Sequence, residues 1–123
     1  MTQTNNAVLA DSDAAVSRPP LVPLAEGAKP MVVTLRLSAK DSADFAQQLR
    51  EAIPVTRIAT GCRYSYTYQA PNAPAEFVLI QGWDSAAQQQ AYLAWRSAIG
   101  HMSHFVSLLS KPPVVEVFNL IDA

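Results

Sequence analysis

A single cysteine, Cys62, stands among the 123 residues. With no second thiol there is no internal disulfide framework, and a zinc or iron–sulfur site built from cysteines alone is excluded within one chain. Charge is also scarce: 15% of the residues are Asp, Glu, Lys or Arg, against roughly 25% in an average soluble domain. So few charges leave little to cover exposed faces, which points to surface hidden in an oligomer. The net charge is −1 and no Lys/Arg cluster stands out, so electrostatic binding to nucleic acid or to an anionic membrane has no source. No apolar run approaches the ~20 residues that span a bilayer, and the first residues show neither a basic nor an apolar leader region. A soluble, cytoplasmic protein is expected, in keeping with a lone reduced thiol.

What is present divides near residue 30. Residues 1–30 are rich in Ala, Ser, Asp, Asn and Pro, with Pro19, Pro20, Pro23 and Pro30 opposing helix and no period-2 pattern to recruit them to a sheet. They read as an extended, partly disordered N-terminal arm. Leu21, Val22 and Leu24 form a short apolar anchor within it, while the residues before about Ser17 are expected to stay mobile.

Residues 31–123 read as one domain. Met31 to Ser38 alternates, with Val33, Leu35 and Leu37 on one face and Thr34 and Arg36 on the other. Asp41 or Ser42 then caps a helix with Phe45, Leu49, Ala52 and Ile53 at helical spacing, which continues past Pro54 toward Ile58. After Gly61, the segment from Cys62 to Gln69 alternates again, placing Tyr64, Tyr66 and Tyr68 opposite Arg63, Ser65 and Thr67. Pro71 to Pro74 reads as a turn. The strand ending at Trp83 is apolar on both faces, which places it centrally. Asp84 or Ser85 caps a second helical segment whose Gln-rich opening is expected to face solvent, and Gly100 interrupts it before a further helix. Pro112 and Pro113 precede a last strand, Val114 to Ile121. The order β-α-β-β-α-β, with right-handed crossovers, gives a ferredoxin-like α+β fold: a four-stranded antiparallel sheet with the helices on one face. The bare face needs a cover, and a second copy of the chain, forming a dimeric α+β barrel, supplies one.

Several pieces, in this order, resemble the antibiotic biosynthesis monooxygenase (ABM) family of YgiN-like quinol monooxygenases: the strand Val32 to Leu37 with its capped helix, Gly61-Cys62, Glu76-Phe77-Val78-Leu79, Trp83-Asp84-Ser85, His104-Phe105, and Pro112-Pro113-Val114. The resemblance spans about residues 31–121. It implies a homodimer that oxygenates electron-rich phenols, anthrones or quinols with molecular oxygen and without flavin, haem or metal. The chain departs from the pattern in an additional segment from Tyr92 through Gly100. A related branch degrades haem with an Asn on the first strand, where Thr34 stands here, so the resemblance does not carry that activity over.

His101 and His104, the only histidines, lie at i, i+3 on one helical face. Two histidines without a third ligand nearby make a poor metal site, and none is expected. As a general base, a histidine has the right range to take a proton from a phenol or anthrone, whose anion reacts with oxygen far more readily. The match to the family's His-Phe pair favours His104 over His101, against the plainer reading of both as surface residues. Trp83, Tyr92 and Trp95 are suited either to stack a planar substrate or to fill the core. Tyr64 and Tyr66 can offer phenolic donors to a pocket or sit inside the dimer barrel, and Thr34 or Arg36 can stabilise an oxyanion. The leading reading is a cofactor-independent monooxygenase for a small phenolic, quinol or polyketide-like substrate. An isomerase or cyclase using the same pocket, and a non-catalytic aromatic-binding dimer, remain alternatives.

Overall fold

The computed structural model describes residues 18–121. The expected strand β1 spans Met31–Ser38, and helix α1 follows over Ser42–Arg57. Asp41 is its N-cap, its Oδ1 accepting from the Asp44 amide at 2.9 Å. Pro54 lies inside α1, which nevertheless runs on to Arg57. The missing N–H costs one helical bond, but Ile53 and Thr56 on either side of it are buried against the domain. Strands β2 (Cys62–Ala70) and β3 (Ala73–Trp83) form a hairpin that turns tightly at Pro71 and Asn72. Helix α2 (Ala86–Ala98), helix α3 (His101–Ser107) and the short strand β4 (Val114–Asn119) complete the chain.

The four strands pair antiparallel in the order β2-β3-β1-β4, the ferredoxin-like arrangement. Register assigns every side chain a face. Leu35 is paired with Leu79 and with Val115, and Thr67 also faces Leu79 across the sheet. The alternate set pairs Thr34 with Ile80 and Glu116, and Tyr66 with Ile80. The first set carries the core. Leu37, Phe77 and Leu79 meet Phe45, Leu49 and Ile53 of α1, while Met31, Val33 and Trp83 meet Ala59 and Tyr92. The second set forms a face that no helix covers.

Two details of the arm and of α2 differ from the sequence-based expectation. Gln88 and Gln89, in the Gln-rich opening, are buried. Gln88 is held from three sides: its amide N–H donates to Ser85 Oγ, Ser85 Oγ donates to its Oε1, and its Nε2 donates to the Val22 carbonyl at 3.0 Å. A polar side chain with its bonds made is not expensive to bury. The arm therefore docks through the backbone of Val22, whereas Leu21 (91% exposed) and Leu24 point to solvent. The expected mobility of the first residues concerns positions outside the described ones. Among the described residues no helix is long and apolar enough to cross a membrane.

Candidate active site

A cavity of about 330 Å³ opens between the helix-bearing face of the sheet and the three helices. Leu35, Leu79 and Gln81 supply its floor, Leu49 and Ile53 of α1 one wall, and Met102 and Phe105 of α3 the other. The polar groups in this apolar shell come mainly from the helices: Gln48, Glu51 and Thr56 on α1, Tyr92 and Arg96 on α2, His101 and His104 on α3. A largely apolar hollow with a few convergent polar groups is the usual form of a small-molecule site.

The polar groups are wired in a definite direction. Arginine only donates, so the Arg96 Nε–H bond to Tyr92 Oη at 2.7 Å makes the tyrosine oxygen an acceptor. The same oxygen shares a hydrogen bond with Thr56 Oγ1, 2.6 Å away, in which either hydroxyl can donate. Arg96 Nη2 donates to the Ala52 carbonyl at 2.8 Å, tying α2 to α1. Its Nη1 lies 2.6 Å from His101 Nδ1, which must accept, so the neutral imidazole carries its proton on Nε2. The same surroundings keep His101 neutral: burial first, then the Arg96 cation, then His104 hold its pKa below the ordinary 6.5. At neutral pH His101 is thus a hydrogen-bond donor through Nε2.

His104 stands on the next turn of α3, exposed at the rim, with Nε2 3.1 Å from Gln48 Oε1. With the Gln48 carbonyl oxygen as acceptor, Nε2 is the donor, and in the matching neutral tautomer the lone pair lies on Nδ1. Gln81 Oε1 accepts from Trp83 Nε1 at 3.0 Å, which leaves the Gln81 amide nitrogen as its available donor. Glu51 receives a bond from Gln47 Nε2 at 3.1 Å.

The candidates singled out in the sequence divide into three groups. His101, His104 and Tyr92 line the cavity. Trp83 and Trp95 stand behind Tyr92, with ring centroids 5.3 and 6.1 Å from its own, and Trp83 is fully buried. Trp95 also meets His101 edge-on, so the two tryptophans back the wall. Thr34, Arg36, Tyr64 and Tyr66 lie on the opposite face of the sheet, away from the cavity. There Tyr64 stacks on Tyr66 at 6.1 Å and lies over Gly82, where a Cβ would come within 2.3 Å of its ring. Arg57 sits 5.5 Å from the Tyr66 ring centroid. Cys62 is half-buried, its thiol pKa raised mainly by burial, which makes it a poor nucleophile.

The sequence reading missed Arg96, Thr56, Gln48 and Gln81. Arg96 carried a usable signal, since it lies one turn after Tyr92 on the aromatic-rich face of the same helix.

The family model for antibiotic biosynthesis monooxygenase matches residues 31–107. The chain belongs to the antibiotic biosynthesis monooxygenase family. No curated protein matches it in sequence. Among solved structures, a protein of unknown function from Nitrosomonas europaea, NE2512, is 27% identical, with a TM-score of 0.65 over 77% of this chain and 92% of its own. Rv0793 from Mycobacterium tuberculosis is 26% identical, with a TM-score of 0.56 over 76% and 97%. A mutant of SnoaB, a cofactor-independent oxygenase from Streptomyces nogalater, is 13% identical, with a TM-score of 0.68 over 78% and 97%, a likeness of fold. The family match ends at Ser107, so it includes both helices that carry Tyr92, Arg96, His101 and His104.

Proposed function

We propose that this ABM-family protein is a cofactor-independent monooxygenase acting on a small planar phenolic, quinol or polyketide-like substrate, and that it works as a homodimer. The observation that carries this reading is the cavity wall that sets an imidazole with a free ring nitrogen, His104, in the same apolar pocket as the guanidinium of Arg96. Oxygenation without a cofactor needs a substrate electron-rich enough to reduce oxygen itself. Removing a proton from an activated methylene or phenol supplies that electron density. His104 Nδ1 takes the proton, and the Nε2–H of His101 stabilises the negative charge that develops on the substrate oxygen.

The resulting carbanion or enolate passes one electron to oxygen, and the radical pair joins as a carbon-bound peroxide. The proton returns to the peroxide, water leaves, and a carbonyl remains. One methylene and one O₂ thus give one carbonyl and one water, with every electron supplied by the substrate. The apolar shell of Leu35, Leu79 and Phe105 keeps bulk water from the anion.

Oxygen-electrode assays against a panel of anthrones and hydroquinones test the reading. Wild-type protein is expected to consume one O₂ per product, and His104→Ala to lose about 10²-fold in turnover. Product formed without oxygen uptake would move the site to proton-transfer chemistry. Unchanged turnover in the variant would remove His104 as the base.

A further inference from the structure

Arg96 is a buried cation with no counter-charge among the described residues. Its side chain sits in a residue only 7% exposed, yet its three hydrogen bonds go to neutral acceptors: the Tyr92 hydroxyl, the Ala52 carbonyl and His101 Nδ1. Among the described residues its charge meets no carboxylate within ion-pairing distance, the ion pair there being Arg63–Asp84 on the surface. Glu51 borders the same cavity but is exposed on α1 and bonded to Gln47. The rings of Tyr92 and Trp95, 5.4 and 5.6 Å from the guanidinium carbon, soften the charge without cancelling it. Buried charges are normally paired, because desolvation is otherwise uncompensated. Of the five N–H groups of a guanidinium, three are committed here, and one remains on each terminal nitrogen.

We infer that the occupant of this cavity brings the missing anion: an aromatic ring bearing a group already ionised at neutral pH, a carboxylate or an acidic phenol, seated on the two free N–H groups of Arg96. The inference rests on the cavity being the ligand site and names the class of compound it selects. A fork of N–H donors in a low-dielectric wall suits two carboxylate oxygens, whereas a neutral phenol or amide leaves the cation unpaired. Neutral His101 supports the assignment. It spends its lone pair on Arg96 and adds a further donor, so this side chain offers a proton to an incoming oxygen rather than competing for one. The apolar floor of Leu35 and Leu79 and the rim residue Phe105 take the ring.

The test is a matched pair that needs no turnover. Binding of 2-naphthoate and of 2-naphthamide, equal in shape and different in charge, is measured by calorimetry on the full-length chain in the absence of oxygen. The carboxylate is expected to bind at least about tenfold more tightly, a difference of about 1.4 kcal/mol. Arg96→Gln and Arg96→Met are expected to erase that preference. Should either variant fail to fold, the wild-type comparison decides alone. Equal binding of the two probes, or binding of neither, overturns the inference whatever the oxygen assay shows. A clear naphthoate preference in a protein that consumes no oxygen upholds it and removes only the monooxygenase reading.

Discussion

Tyr92 is the residue on which the site depends structurally. Its hydroxyl accepts from Arg96 and is hydrogen-bonded to the Thr56 hydroxyl, so one oxygen joins α2 to α1 beneath the cavity. Tyr92→Phe keeps the ring packed at a tilt against Trp83 but strands the Arg96 Nε–H in a buried place. Leaving a charged donor unsatisfied costs about 1–3 kcal/mol, and urea denaturation of the variant is expected to show a loss of that size. A loss well under 0.5 kcal/mol, the ordinary scatter of surface changes, would mean that Arg96 finds another acceptor. At this scale the sequence was only partly legible. Strand parity already separated Thr34 and Arg36 from the Val33 and Leu35 face, and Tyr64 and Tyr66 from Ser65 and Thr67, but only the register puts all four on the side away from the cavity. Their selection as pocket residues leaned on chemistry, without the register that relates one strand's faces to the next. Arg96 was missed for the reverse reason. An arginine on an amphipathic helix ordinarily reaches water, and its place one turn after Tyr92 was the local hint that this one is turned inward, where the packing of α2 on α1 buries it.

Elements were far more legible, because their signals are local. Alternation marked β1 at its observed limits, and the starts of α1 and α2 were narrowed to Asp41 or Ser42 and to Asp84 or Ser85, of which Asp41 and Ser85 are the caps. The Gln-rich opening of α2 escaped because its partner, Val22, is distant in sequence. Two glycines with nearly the same backbone show how an element's end depends on its surroundings. Gly61 has φ +90 and Gly100 φ +83, both in the left-handed region. A Cβ on Gly100 would meet nothing within 4 Å, but one on Gly61 would fall 2.4 Å from Gln88 Oε1 and 2.8 Å from its Cβ. Gly100→Ala is expected to cost about 1–2 kcal/mol, the left-handed penalty alone. Gly61→Ala adds a clash with a side chain that is fixed by Ser85 and Val22 and has no room to yield, for a total of about 3 kcal/mol or more. Thermal melts of the pair decide it. Equal losses would show that Gln88 moves aside, and with it the docking of the arm.

At the scale of the whole molecule the sheet leaves its apolar surface unevenly covered. β4 is an edge strand, and Val114, Val115, Val117 and Phe118 each remain about half exposed along it. An apolar edge of this kind is a standing invitation to association. Low charge content pointed to an oligomer, and Tyr66 and Tyr68 extend the exposed apolar surface across the uncovered face. The cavity lies on the helix side, so pairing of two chains through the bare face would leave its rim residues Gln48 and His104 accessible. Phe118 pairs with Val32 on the bare face, whereas Val117 pairs with Val33 on the helix side. Equal in exposure but opposite in direction, they separate the two modes of association. Light scattering is expected to give twice the chain mass for the wild type, and Phe118→Glu to give the monomer with its circular dichroism intact. Val117→Glu is expected to remain dimeric. A monomeric wild type, or dissociation by Val117→Glu alone, would rule out pairing through the bare face, because a charge pointing away from that interface has no reason to break it.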